Sequence, residues 1–382
     1  MVSRPMKRTR SLALLLLAAP VLAQDANPGL MELRSRVTGY ASQLPPKGNT
    51  PNAAQAKGNP NFTPARLEMM RRFADWIRAS YPEPVGAVVE PWFSIYPEKA
   101  NPRFYMPVSW TTSLRYWTPA YADASHSLSR LKRAQPAASQ DISIAANTIP
   151  GMEGLGWFDT PTALYVTMAV DTAGNPVDAD AARFNAARAE VQRIAGGRLT
   201  YVAGAYVHVM LGVDRIPVTP LTRGQALDVA EAGCRRAHEK GDNTDAQLQA
   251  QLGVIARTRA KYRGSLDAPA SLNAPQFGLD VFSGTGDADY DPFGPGHKGA
   301  RWPVYTIAPE VYAATRSAKP QWITISFPVG TADAVSANAL SAPSARAIWK
   351  AMTTRFNFDD VDNLVFHPER MQGRGYTPRP AE

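Results

Sequence analysis

The sequence predicts an α+β fold, a mixed or antiparallel sheet covered by amphipathic helices. Three observations carry that prediction. Two threonine-opened helical segments follow one another at 223–240 and 245–263, and apolar β-rich runs recur at 163–171, 199–213, 302–307 and 321–327. The two element types also alternate too irregularly for a doubly wound α/β fold, which is the alternative.

The first residues, MVSRPMKRTRSLALLLLAAPVLAQ, combine a basic head, an apolar run from Leu12 to Ala19 and Val21-Leu22-Ala23. This is the layout of a secretory signal peptide over residues 1–23, so the mature chain is expected in the periplasm of a bacterium or outside the cell. The apolar run falls short of the roughly 20 residues that span a bilayer, and no later run is long enough. The only cysteine, Cys234, lies far from the cleavage point, so no lipid anchor and no intramolecular disulfide are expected. The formal charge of +8 falls by the four basic residues of the leader to +4, spread along the chain without a basic stripe. That balance argues against nucleic acid as a partner.

Residues 24–63 read as a short helix carrying Leu30, Leu33, Val37 and Leu44, then a Pro/Gly/Asn-rich linker without regular structure. Residues 64–372 are the globular α+β domain, with two lobes meeting near 217–221 as one option, and 373–382 form a polar tail. Thr63 followed by Pro64 marks a helix start, and Leu67, Met70, Phe73, Ala74 and Ile77 give that helix its buried face to about Ser80. Short strands bent by prolines are expected near 86–95 and 103–117. Asp178 should cap a helix that ends at Gly196-Gly197, and 199–213 reads as one long strand. Thr222…Gln225 and Thr244…Gln247 are capping boxes, each pairing a hydroxyl with a glutamine three residues on. A short helix at 310–316 and a last one beginning at Pro343 complete the pattern.

Five places invite a chemical reading. Asp287, Asp289 and Asp291 alternate before Gly294 and His297, so their carboxylates offer a weak calcium site, and Asp291 with His297 is the candidate pair for a dispersed hydrolase. Pro292 stands where an EF-hand turn needs glycine, which points instead to a solvated turn. Ser129 and Lys132 match the S-x-x-K spacing without its companion motifs, and GMEGLGW at 151–157 approaches a glycine fingerprint but follows a polar connector, ISIAANTIP, and precedes WFDTP, neither a clean strand nor a helix start. Cys234 shares a helical face with Leu227, Ala230 and Ala237, which makes it a small buried hydrophobe rather than a thiol activated by His238.

The fifth place is EPWFSIYPEKANPRFYMPVSWTTSLRYWTPAY, residues 90–121. Here Trp92, Tyr96, Trp110 and Trp117 are either the wall of a core or an aromatic platform for a ligand. The expected function is a non-enzymatic exported module that binds cell-wall glycan or another envelope protein. The alternative is a periplasmic hydrolase with a dispersed Asp/His site.

Overall fold

A computed structural model of the full chain describes residues 33, 35–37, 47–48, 59–97, 107–135, 138–153, 158–160, 162–177, 182–283, 290–296, 299–331 and 342–380. Within them the expected α+β architecture is present. Its frame is a seven-stranded sheet of β1 (Lys47–Gly48), β2 (Val88–Tyr96), β3 (Ser109–Trp117), β6 (Ser139–Ala146), β13 (Ile323–Pro328), β9 (Tyr206–Leu211) and β8 (Thr200–Ala203), in that spatial order. Every neighbouring pair is antiparallel except β1 with β2.

The residue alternation explains why the central strands form. In β3, SWTTSLRYW, the even positions Trp110, Thr112, Leu114 and Tyr116 are buried, while Ser109, Thr111, Arg115 and Trp117 are only half-buried. In β6, SQDISIAA, Ile142 and Ile144 point inward. The inner face continues through Ile323, Ile325 and Phe327 and through Val207, Val209 and Leu211. Helices α1 (Pro64–Ser80), α2 (Asn185–Ile194), α7 (Ala342–Thr354) and α8 (Phe358–Phe366) bury their apolar stripes against it. Thr63 caps α1 by accepting from Arg66 N, with Pro64 at the first helical position. Arg66 then lies over the Trp110 ring at 4.8 Å and donates to the carbonyls of Asn61, Arg316 and Ser317, which fixes the start of α1 to the far side of the chain.

A second unit is built on α3 (Arg223–Glu239) and α4 (Asp245–Lys261), the expected hairpin, and both capping boxes are formed. It includes the small sheet of β7 (Tyr165–Thr167), β12 (Trp302–Thr306), β10 (Thr219–Pro220) and β11 (Ser271–Leu272), with the short helix α5 (Leu279–Phe282). Its own core gathers Phe158, Leu227, Cys234, Phe277, Phe282 and Phe293. A bridging core of Ile149, Val166, Tyr201, Met210, Tyr305, Tyr312 and Trp322 joins this unit to the outer face of the large sheet at the β9 and β8 end, with α6 (Pro309–Thr315) alongside. The chain enters the second unit both through 147–170 and through 216–222, so the expected lobe boundary at 217–221 marks one of two passages. A small hairpin of β4 (Pro119–Tyr121) and β5 (Leu131–Arg133) packs with Leu33, Val37 and Val88.

Several expectations are corrected. The run 199–213 is two strands, because Gly204 and Ala205 both take positive φ (57° and 65°) and close a tight two-residue turn between β8 and β9. The segment before GMEGLGW is the central strand β6 rather than a polar connector. Lys47–Gly48, inside the expected linker, pairs with Trp92 and Phe93. The helix after Asp178 is described from Asn185, while Asp178 itself lies outside the described residues, as do residues 1–23 and most of 24–58. Helix α8, capped by Asn357 through Asp360 N, follows the expected last helix.

Candidate functional site

The strand register assigns the aromatic stretch to two opposite faces. Trp110 stands opposite Ile95 and Ala146 on the inner face and is fully buried. It is therefore a core residue, and it is not part of a platform with the other rings. Trp92, Tyr96 and Trp117 have the opposite parity and lie on the outer face. Trp92 and Trp117 are half-buried, and Tyr96 is 46% exposed at the strand end.

On that outer face the register aligns two polar rows across the strands. The first runs Glu90, Arg115, Asp141 and is continued to β9 by the Tyr206 hydroxyl, and the second runs Trp92, Ser113, Ser143, Ser326, His208, Tyr201. From β2 to β9 each row covers about 19 Å at the usual strand spacing. The β9 and β8 end disappears beneath the bridging core, where Tyr201 is enclosed, whereas Arg115, Asp141 and Ser143 keep some exposure.

The chemistry concentrates on β2, β3 and β6. Arg115 Nε donates to Asp141 Oδ2 at 3.2 Å, and its guanidinium lies 4.2 Å from the Trp92 ring centroid. Trp117 Nε1 donates to Glu90 Oε2 at 2.9 Å, and Arg133 covers the Trp117 ring at 4.9 Å while standing 3.9 Å from the same carboxylate oxygen. Glu90 is 1% exposed, so it braces this arrangement from within. Ser113 and Ser143 share a 2.6 Å hydrogen bond, and His208 Nδ1 meets Ser326 Oγ at 2.8 Å. Asp141 N donates to the Tyr206 hydroxyl at 3.3 Å, and that hydroxyl donates to Gln140 Oε1.

Burial dominates the titration of this face. Desolvation pushes Asp141 up to about 6 against the pull of Arg115, and the Glu90 charge adds to the rise. His208 is held down to about 4 by its burial, with a hydrogen bond to the Ala203 backbone opposing. The imidazole is thus neutral near pH 7 and shares its Nδ1 hydrogen bond with the Ser326 hydroxyl.

The other sequence candidates separate. Asp287, Asp289 and His297 lie outside the described residues. Asp291 is committed to structure: it accepts from the Tyr262 hydroxyl at 2.6 Å, pairs with Lys261 Nζ at 2.9 Å and caps the Phe293 N–H. Burial alone would raise its pKa, but the Tyr262, Lys261 and Phe293 contacts hold it below the usual value. Among the described residues no group of three or more His, Cys, Asp or Glu is placed to hold a metal. Lys132 sits on strand β5, so the S-x-x-K spacing does not stack an amine one helical turn from Ser129. Cys234 is buried and desolvation pushes its thiol up to about 11, while His238 turns to Asn243 and Asp245. No described helix is long and apolar enough to cross a membrane.

Sequence reading missed Glu90, Arg115, Asp141, Ser143, Ser326 and His208. The signal present was the period of two in SWTTSLRYW and SQDISIAA, which already separates Trp110 from Trp117 and groups Arg115 with Asp141 by parity. Comparison with family models, curated proteins and solved structures finds no match.

Proposed function

We propose that this chain is an exported, non-enzymatic binding module of the bacterial envelope, and that the outer face of β2, β3 and β6 receives a glycan. One observation carries the reading: a half-buried indole, Trp92, a guanidinium and a carboxylate, Arg115 and Asp141, and the Ser113 and Ser143 hydroxyls share one side of a rigid antiparallel sheet. Aromatic ring faces match the C–H faces of sugars, and fixed polar groups match their hydroxyls. A sheet holds those groups in place before a ligand arrives, so little ordering is lost on binding. Export follows from the leader alone.

The test uses mature protein, soluble peptidoglycan fragments and a panel of exported polysaccharides, read by titration calorimetry and tryptophan fluorescence. Binding is expected to at least one glycan, and Trp92→Ala should weaken it about tenfold or more in protein that circular dichroism shows to be still folded. Failure of every glycan to bind, including sedimentation with insoluble peptidoglycan, overturns the reading. N-terminal sequencing of protein recovered from the periplasm should begin at Gln24. Recovery of the protein only from the cytoplasm, with Met1 intact, overturns the export claim.

A further inference from the structure

We infer that the ligand of this face is anionic, a glycan carrying a free carboxylate, and that the Nη1 and Nη2 edge of Arg115 receives it. The inference rests on the binding reading above and adds the chemical class of the ligand.

The geometry of Arg115 supports it. A guanidinium offers five N–H donors in a planar fork. In this site one of them, Nε–H, bonds to Asp141, and no hydrogen bond from Nη1 or Nη2 is formed among the described residues. The ring of Trp92 supports the plane from one side, so the fork is fixed in orientation without its outer donors being used. The side chain is 30% exposed, enough to present that edge to solvent. End-on pairing of two Nη donors with one carboxylate is the strong, geometrically specific mode of arginine recognition. Asp141 is then a positioning residue: it holds Nε and aims the fork.

The surrounding charges specify how binding should respond to acid. Arg115 and Arg133 face Glu90 and Asp141, and the remaining polar neighbours, Tyr206, Gln140, Ser113 and Ser143, are neutral. The cluster is balanced when both acids are ionised, and an incoming carboxylate leaves it one negative charge in excess. A proton on Asp141 restores the balance. Asp141 titrates near 6, within reach of mild acid, whereas a sugar carboxylate stays ionised there.

The experiment measures binding of paired probes to the mature protein at pH 7.5 and pH 5.0: oligogalacturonate against its methyl ester, and peptidoglycan glycan strands before and after carboxyl reduction. Each acidic probe is expected to bind about tenfold or more tightly than its neutral mate. Its affinity should rise about tenfold on acidification, as expected for relief of one close like-charge contact. Arg115→Lys, which keeps the charge and loses the fork, should abolish the preference for the acidic probe. Asp141→Asn should bind the acidic probe with the same affinity at both pH values. Equal affinity for both members of each pair overturns the inference while leaving the glycan reading standing. Absence of binding by all four probes and by the wider panel overturns that reading itself. Should the variants fail to fold, the wild-type comparison of acidic with neutral probes decides alone, and which acidic probe binds separates a polyuronate from a cell-wall source.

Discussion

Replacing His208 by glutamine should change how stability depends on pH far more than it changes stability at pH 7.5. His208 is 5% exposed, its Nδ1 shares a 2.8 Å hydrogen bond with Ser326 Oγ, and its ring lies 5.0 Å from that of Tyr201. Burial lowers its pKa from the ordinary 6.5 to about 4. A depressed value means that the folded state resists a proton that the unfolded chain takes up. The stabilisation is therefore fully present above about 6.5 and is lost as pH falls toward 4, amounting to about 3 kcal/mol at 1.36 kcal/mol per unit. Asp141 works in the opposite direction. Its pKa is raised to about 6, so its contribution is complete below about 3.8 and is lost as pH rises through 6; the magnitude is again about 1–3 kcal/mol. The two effects largely cancel in the wild type between pH 4 and 6.5. In His208→Gln only the Asp141 effect remains, so the variant should gain stability relative to wild type as pH drops from 7.5 to 4.5, by about 2.5 kcal/mol or about 4 °C in Tm. Urea and thermal unfolding of both proteins across this range provide the check. Stability curves that run parallel at every pH would refute the reasoning, because they would show that the imidazole titrates equally in both states.

Three further outcomes are expected. Gly233→Ala on α3 would drive a methyl group into the Phe158 ring, and urea midpoints should show a loss of about 1–3 kcal/mol. Thr222→Ala and Thr244→Ala each remove a formed capping box, so each should lower stability by about 1 kcal/mol and the pair should add, since the caps open separate helices. Cys234, buried and with its thiol held well above neutral pH, should resist a thiol reagent in native protein and react only in denaturant; rapid labelling of the folded chain would contradict its place in the core.

What the sequence revealed depended on the range of the forces involved. The α3–α4 hairpin was legible because each capping box is a bond between residues three apart, and α1 because Thr63 and Pro64 announce it locally. The long run 199–213 was misread since its break rests on Ala205 taking positive φ, which composition does not advertise. Strand β6 was overlooked because Ser139, Asp141 and Ser143 give it the look of a loop, although their spacing is that of a half-covered strand. Helix α8 begins Phe-Asp-Asp, acids that favour a helix N-terminus as well as a turn. The site was the least legible part. Arg115 meets Asp141 across 26 positions and His208 meets Ser326 across 118, and only the sheet register brings them together. The aromatic stretch had two answers at once: Trp110 serves the core, and Trp92 serves the opposite surface.

Asn147 stands where the central strand leaves the large sheet for the bridging core. Its amide donates to Val108 O at 2.9 Å, and its side-chain oxygen accepts from Gln321 N at 2.7 Å. Three stretches of chain, distant in sequence, are knotted by one side chain at the point where the two units share an interior. The helical half of this molecule is consequently no portable cassette. Neither a cut at 217–221 nor a graft onto another scaffold would carry it away whole, because Ile149 and Val166 come from one side of that cut and Tyr305 and Trp322 from the other, and a severed half would expose its share of the seam.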